Sequence, residues 1–502
     1  MIKRFGYAIV ICLFAATTFA QRPYHEQYRP QIHFSPPAHW MNDPNGMVYY
    51  NGVYHLFYQH YPDSTVWGPM HWGHATSTDL IHWTNKPIAL FPDSLGDIFS
   101  GSAVVDVNNT SGFGKNGKAP LVAIFTNAQR VDAKDGVYYD QNQSLAYSND
   151  GGKTWRKYAH NPVLRNPNIK DFRDPKVSWY APGKKWIMTL AVKDHVEFYS
   201  SPNLKKWTKE SEFGQNLGGH GGVWECPDLF PLTANDGRKM WVLIVNINPG
   251  GPQGGSATQY FTGSFNGKAF TPNNTDTRWI DWGTDEYAGV TWSNTDGRRI
   301  FLGWMSNWQY AQNVPTKTWR SAMTLPRELK LIKTGNGYNV ASCPVKELHS
   351  IEGSPITLIG IKGDANLSKL IGRTDGQYEL NLSSAQLKNF SLTFSNAKGQ
   401  KLIAGYDDNS NSWYIDRTQA GESRFNRDFA KKFSASRISK NKGADLKLII
   451  DAASIELFAD HGLTTMTAIF FPDQPLSTIS LSSPRQFRAD RISYTPLKSI
   501  WH

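Results

Sequence analysis

From His33 onward, apolar and polar positions alternate in short runs, and no long stretch keeps the spacing of an amphipathic helix. Glycine, proline, asparagine and aspartate separate the runs. Residues 47–50 and 53–61 flank Asn51-Gly52, whose residue types suit the two left-handed positions of a tight hairpin. Just before them, Asp43-Pro44-Asn45-Gly46 reads as a β-turn that feeds this first hairpin. Further on, Tyr378-Glu379-Leu380-Asn381-Leu382 and Leu446-Lys447-Leu448-Ile449-Ile450-Asp451 alternate in the same way. Ser454-Ile455-Glu456-Leu457-Phe458-Ala459 ends on the turn Asp460-His461-Gly462. The pattern predicts an all-β chain.

A weak internal repeat refines that expectation. Ser77-Thr78-Asp79-Leu80-Ile81-His82-Trp83 returns in altered form as Ser148-Asn149-Asp150-Gly151-Gly152-Lys153-Thr154-Trp155, and again as Ser201-Pro202-Asn203-Leu204-Lys205-Lys206-Trp207. Each copy follows an apolar or aromatic strand and ends on a tryptophan that can pack under the turn. A period of about 50–70 residues suits the four-stranded blades of a β-propeller, and five such blades fill roughly residues 30–333. The second copy also resembles the Asp-box of sialidases, but the sequence lacks the arginine pattern that would bind a sialidase's substrate carboxylate. From Leu329 the composition shifts to glycine-spaced alternating strands, which predicts a C-terminal β-sandwich over residues 345–502. No catalytic constellation stands in that second part.

The 502-residue length suits two domains. Residues 1–20 read as an export signal: Lys3 and Arg4, an apolar stretch over 7–14, then Thr18-Phe19-Ala20 before the cut. That stretch is too short to span a membrane and no other candidate follows it. The protein is therefore expected to be exported, to the periplasm or beyond. Cleavage near Ala20 removes Cys12 and leaves Cys226 and Cys343, so at most one disulfide is possible, and Cys226 is expected as a free thiol. The formal charge of +11 falls to +9 when Lys3 and Arg4 leave. The basic residues are spread out and no nucleic-acid motif accompanies them, so nucleic acid is not an expected partner. Residues 21–31 are polar and rich in tyrosine, arginine and proline, which reads as a surface tether. The 18 Trp, 22 Tyr and 26 Phe supply flat faces that can stack on a sugar ring, besides their ordinary place in a core. No nucleotide loop or zinc-spaced cluster appears, so no cofactor or metal is expected. Oligomeric state is not specified by the pattern.

Three separated motifs carry the chemistry. The first is Trp40-Met41-Asn42-Asp43-Pro44-Asn45-Gly46, preceded by His33-Phe34-Ser35-Pro36. The second is Asp171-Phe172-Arg173-Asp174-Pro175-Lys176 and the third Val223-Trp224-Glu225-Cys226-Pro227-Asp228. In their order and spacing they resemble the signature of glycoside hydrolase family 32, the invertases, inulinases, levanases and related β-fructosidases. The resemblance implies a five-bladed propeller followed by a β-sandwich. It implies Asp43 as nucleophile, Glu225 as acid/base, and Asp174 as the group that binds fructosyl hydroxyls and stabilises the transition state. Retaining hydrolysis needs such a pair, one carboxylate to attack and one acid to protonate the leaving oxygen, about 5–5.5 Å apart. Ionised Asp43 and Asp174 nearby favour the protonated form of Glu225. Arg173 can pair with one of these acids and hold it.

The resemblance also implies a sugar subsite. Trp40, Met41, Asn42, Gln59, Trp67, Phe99, Ser100, Arg173 and Trp308 fall at or within its binding motifs, with amides for hydroxyls and aromatic rings for walls. Asp281 and Asp285, in Asp281-Trp282-Gly283-Thr284-Asp285-Glu286-Tyr287, are further candidates for contacting the terminal fructosyl or the leaving group. The expected activity is release of terminal β-D-fructofuranosyl units from levan, inulin or sucrose. A fructosyltransferase uses the same triad with a sugar as acceptor. A catalytically silent fructan-binding protein is the rival from another class, and the presence of all three carboxylates argues against it.

Overall fold

The computed structural model describes residues 24–133, 136–372, 374 and 376–501; the expected export signal lies outside them. Alternation becomes strand along most of the chain. Among the described residues there are seven mainly antiparallel sheets, and the α-helix is confined to Leu367–Ile371. No described helix is long and apolar enough to cross a membrane.

Five sheets follow one another along residues 39–344. Their first strands are His39–Tyr50, Asp97–Val105, Phe172–Tyr180, Val223–Thr233 and Tyr287–Thr291. Each first strand touches the next, and the fifth touches the first, so the five form a closed ring. Val48 and Ser293 bridge the first and last members of the ring in parallel. The strands that follow each first strand step away from it in turn, and in the first sheet Trp319–Arg320 pairs along the other edge of His39–Tyr50.

Burial explains the arrangement. A separate apolar core fills each gap between neighbouring sheets. Phe57 and Trp72 of the first sheet meet Ile98 and Phe125 of the second. Ile124 and Leu145 of the second meet Phe172 and Met188 of the third. Phe198 meets Trp224 and Val245 across the next gap, Ile244 meets Phe301 and Leu329 across the fourth, and Met47 and Leu56 meet Tyr287 and Trp304 where the ring closes. The repeat seen in the sequence sits at one place in three sheets, the turn after the third strand. There Ser77, Ser148 and Ser201 each bond the Asp or Asn two residues on, at 3.0, 2.7 and 3.4 Å. Trp155 and Trp207 close the turn by donating from their indole N–H to the carbonyls of Gly152 and Leu204.

The fifth sheet runs on through Pro344, past the boundary at 333 that composition suggested. Leu329 lies inside its last hairpin, which stays paired from Arg327 opposite Pro344 to Thr334 opposite Gly337. Composition changes there while the pairing continues. Beyond it, two six-stranded sheets enclose Leu380, Phe394, Trp413, Leu448 and Leu457 as a sandwich core.

Residues 24–31 are not the loose surface tether that their polarity suggested. Arg29 is buried and bonded to Glu26, Ser35 and the carbonyl of Pro36. Tyr24 stacks on Trp501 with ring centres 3.8 Å apart, and the Gln31 N–H donates to Asp451 of the sandwich. A polar segment is held because its groups find partners on both sides of the seam.

That seam is ionic as well as apolar. Arg327 donates to Glu456 (Nε, 3.0 Å; Nη2, 2.5 Å) and to Asp281 (2.8 Å), and all three side chains are buried. His33 lies between Asp451 and Glu456, 2.8 Å from each. Burial alone would lower its pKa, but the two carboxylates raise it from 6.5 to about 9. The bound proton therefore stabilises the fold fully below about pH 6.5, by on the order of 3 kcal/mol, and the contribution is lost as pH rises through about 9. Melting curves from pH 6 to 10 should show Tm falling over that window in the parent and a flatter profile in His33→Gln. Equal slopes in both proteins would refute the assignment.

Candidate active site

The motif residues collect at the leading ends of the inner strands, and a break in pairing re-aims the backbone at each. Register slips between Met41 and Pro44, between Ile98 and Gly101, opposite Arg173 and Lys176, between Glu225 and Asp228, and between Tyr287 and Val290. Bulges bend a strand and turn a chosen side chain out of the pleat. Asp43-Pro44-Asn45-Gly46 is thus a bulged part of the His39–Tyr50 strand, not the free turn that its residue types suggested. Gly46 shows why a glycine stands there: φ is +53°, and a Cβ would lie 2.6 Å from Phe57 and 2.7 Å from Trp72. Asp174, Cys226 and Ala288 take left-handed backbone at φ +64°, +43° and +54° in three other inner strands. Such conformations cost on the order of 1–3 kcal/mol each, so the surrounding ring holds them in place.

Asp43 is held at both oxygens. Asn42 donates to Oδ1 at 2.9 Å and the Ser100 hydroxyl to Oδ2 at 2.6 Å. Trp40 stands behind, its indole N–H 2.7 Å from Asn42 Oδ1, which orients that amide. Cys226 links two of the acids: its backbone N–H donates to Asp174 Oδ2 at 3.0 Å, and its thiol lies 3.4 Å from Asp43 Oδ2 and 3.7 Å from Asp174 Oδ2. Burial and the three nearby carboxylates push that thiol well up, so it stays protonated and donates. Both Cys226 and Cys343 are free.

Glu225 accepts from Arg173 at one oxygen (Nη2, 2.9 Å; Nε, 3.3 Å) and from the Tyr287 hydroxyl at the other. Arg173 also holds Asp171 at 2.6 Å and passes 3.9 Å from Asp174. Burial, then the charge of Glu225, raises Asp43, against the donors on its two oxygens. Burial pushes Asp174 up to about 7; Arg173 opposes this, and Glu225 and Asp43 add to it. Asp43 and Asp174 therefore keep a proton more readily than a free aspartate does.

Three carboxylates and a guanidinium thus meet at one point, with Asp43 and Glu225 half-buried there. The family model for the N-terminal domain of glycosyl hydrolases family 32 matches residues 33–344, and that for its C-terminal domain matches residues 347–496. The chain belongs to family 32.

A levanase of Bacillus subtilis is 46% identical, over 97% of this chain and 73% of its own. An extracellular exo-inulinase of Aspergillus ficuum is 38% identical over 99% of both chains. Among solved structures, the exo-inulinase of Aspergillus awamori superposes with a TM-score of 0.87 at 37% identity, over 95% of this chain and all of that one. The β-fructofuranosidase of Schwanniomyces occidentalis, solved with fructosyl-erythritol, gives 0.85 at 33% identity, over 95% of this chain and 99% of its own.

Within this family 32 glycoside hydrolase, the remaining candidates divide. Trp67, Phe99 and Trp308 are half-buried beside the acids' strands. Gln59 is buried, donating to Asn45 Oδ1 at 2.7 Å and to the Ile98 carbonyl at 3.0 Å. Met41 is fully buried in the core where the ring closes, so it supports the motif from behind and the expectation that it contacts sugar is corrected. Asp281 and Asp285 are corrected too. Asp281 pairs with Arg327 and Thr467, Asp285 with Arg417, Tyr310 and the Ile469 N–H, all at the buried seam with the sandwich. Their charges are satisfied there by partners from the protein itself.

Sequence reasoning passed over Tyr287, Thr126 and Gln141. Tyr287 heads the fifth inner strand and grips Glu225. Thr126 accepts from the Asp174 N–H at 3.0 Å, and Gln141 accepts from the Phe172 N–H at 2.8 Å and from Arg173 at 3.5 Å. The usable signal was position, since Tyr287 begins an inner strand as the acids do. Among the described residues, one group has metal-ligand geometry: His195, Glu197 and Glu212. The Lys209 ammonium already sits 2.5 Å from Glu197 and 3.2 Å from Glu212 there.

Proposed function

We propose that this family 32 enzyme is an exported, retaining β-fructosidase on a five-bladed propeller, with residues 345–502 as a buttressing sandwich. It releases terminal β-D-fructofuranosyl units from levan, inulin or sucrose. The observation that carries the reading is the cleft in which Cys226 ties Asp43 to Asp174 while Arg173 spans Asp174 and Glu225. It is supported by the levanase and exo-inulinase relatives.

Asp43 attacks the anomeric carbon of the terminal fructosyl unit. Glu225 gives its proton to the departing oxygen, and the C–O bond breaks to leave a fructosyl ester on Asp43. Glu225 then takes a proton from water, whose oxygen displaces Asp43 and restores the β configuration. Asn42, Arg173 and Asp174 take up hydroxyls that only a terminal unit leaves free. An internal unit would leave those buried polar groups unpaired, which favours exo action.

The test is a digest of sucrose, inulin and levan, sampled at low conversion. Fructose alone, appearing first as the β-anomer, is expected. An oligosaccharide ladder would remove exo action, α-fructofuranose as first product would remove retention, and new fructosyl oligomers would favour the transferase. No cleavage of any of the three leaves the silent binding protein.

A further inference from the structure

Three of the inner strands carry the same kind of break. In Phe172–Tyr180 the pairing stops at Arg173 and resumes at Lys176. In Val223–Thr233 it stops at Glu225 and resumes at Asp228. In Tyr287–Thr291 it stops at Tyr287 and resumes at Val290, next to Thr291. The left-handed residues Asp174, Cys226 and Ala288 lie inside these breaks. On one side of the breaks, Glu225 joins Arg173 to Tyr287 across the three strands.

On the other side, a second set of contacts crosses the same three strands. The Lys176 ammonium donates to the Thr291 carbonyl and lies 3.2 Å from Asp228 Oδ2. That oxygen also accepts from the Thr291 N–H at 2.7 Å and from the Thr291 hydroxyl at 2.8 Å. All three residues are buried. Lys176 and Asp228 end the second and third sequence motifs, and the two displacements at the sugar use neither. Each of the three strands heads its own sheet, so no backbone ladder fixes their spacing. A buried ion pair is a poor route to stability, because apolar side chains of similar volume serve as well. What it does supply is a fixed distance, since the ammonium must reach a carboxylate and a carbonyl at once.

We infer that Lys176 is a positioning residue: with Asp228 and Thr291 it clamps the far ends of three bulges and so aims Glu225 at the departing oxygen. Asp43 and Ser100 stand on the other two inner strands, outside the clamp. The inference rests on the fructosidase reading and adds to it what keeps the acid in line.

The experiment measures Lys176→Met, Lys176→Arg and the double variant Lys176→Met/Asp228→Asn on sucrose and on p-nitrophenyl β-D-fructofuranoside, with melting curves on the same preparations. Lys176→Met should lower kcat on sucrose by about 10²-fold, the scale of a group displaced by about 1 Å, with KM within about threefold of the parent. The nitrophenolate leaves without a proton, so kcat/KM on that substrate should fall by less than about tenfold. Lys176→Arg keeps a cation, and the cavity of about 580 Å³ that Lys176, Asp228 and Thr291 help to line leaves room for it. It should stay within about tenfold of the parent on sucrose. The double variant strands no charge, so it should melt near the parent while staying as slow as Lys176→Met, and it carries the test if the single variant does not fold. Sucrose turnover in Lys176→Met within about threefold of the parent would overturn the clamp. So would equal losses on the two substrates, Lys176→Arg as slow as Lys176→Met, or a double variant restored to the parent rate. A parent inactive on both substrates fails the fructosidase reading itself, and the clamp falls with it.

Discussion

Asp43→Asn is expected to abolish turnover, by on the order of 10⁴-fold or more, in a protein that folds as well as the parent. An amide nearly matches the carboxylate in shape but cannot form the fructosyl ester. The surroundings accept it: its oxygen can face the Asn42 amide, and its NH₂ can face the Ser100 hydroxyl, which accepts as well as donates. Burial and Glu225 raise the pKa of Asp43, so its ionised form is held against a cost to the fold near neutral pH. The neutral amide removes that cost, and Tm should stay level or rise. Fructose release and thermal melting on the same preparation decide it. Activity within tenfold of the parent would end the nucleophile assignment. A lost fold would leave it to Asp43→Ser with the same two readouts.

Arg327→Met should cost about 3–5 kcal/mol of stability, the largest single loss expected outside the cleft. Methionine fills much of the volume, so the effect is electrostatic. It strands Asp281 and Glu456 in a buried seam, with His33 left to serve Glu456 and only hydroxyl and backbone donors left to Asp281. Adding Asp281→Asn should recover part of the loss, because the stranded charge is then gone. Denaturant titrations of the parent, single and double variants test this. A single-variant loss under about 1 kcal/mol would show that the seam does not depend on this guanidinium.

The chemistry was easier to read from the chain than its setting. Asp43, Asp174 and Glu225 stand out because short motifs hold their residue types, and the turn repeat stands out because each copy solves the same local hydrogen-bond problem. Asp43-Pro44-Asn45-Gly46 was misread because turn propensity is local, whereas the bulge there is imposed by strands on either side. Asp281 and Asp285 were misplaced for a related reason. An aspartate's partner decides its role, and Arg327 and Arg417 come from far along the sequence.

The site takes one element from every sheet: Asp43 from the first, Ser100 from the second, Asp174 from the third, Glu225 from the fourth and Tyr287 from the fifth. Each is aimed by a bulge that its neighbours hold in place. No contiguous fragment short of the whole circle therefore contains a working cleft. On the proposed reading, a chain still emerging from a ribosome is inert, and catalysis switches on only when the last inner strand docks against the first. Turnover is in effect a reporter of completed assembly.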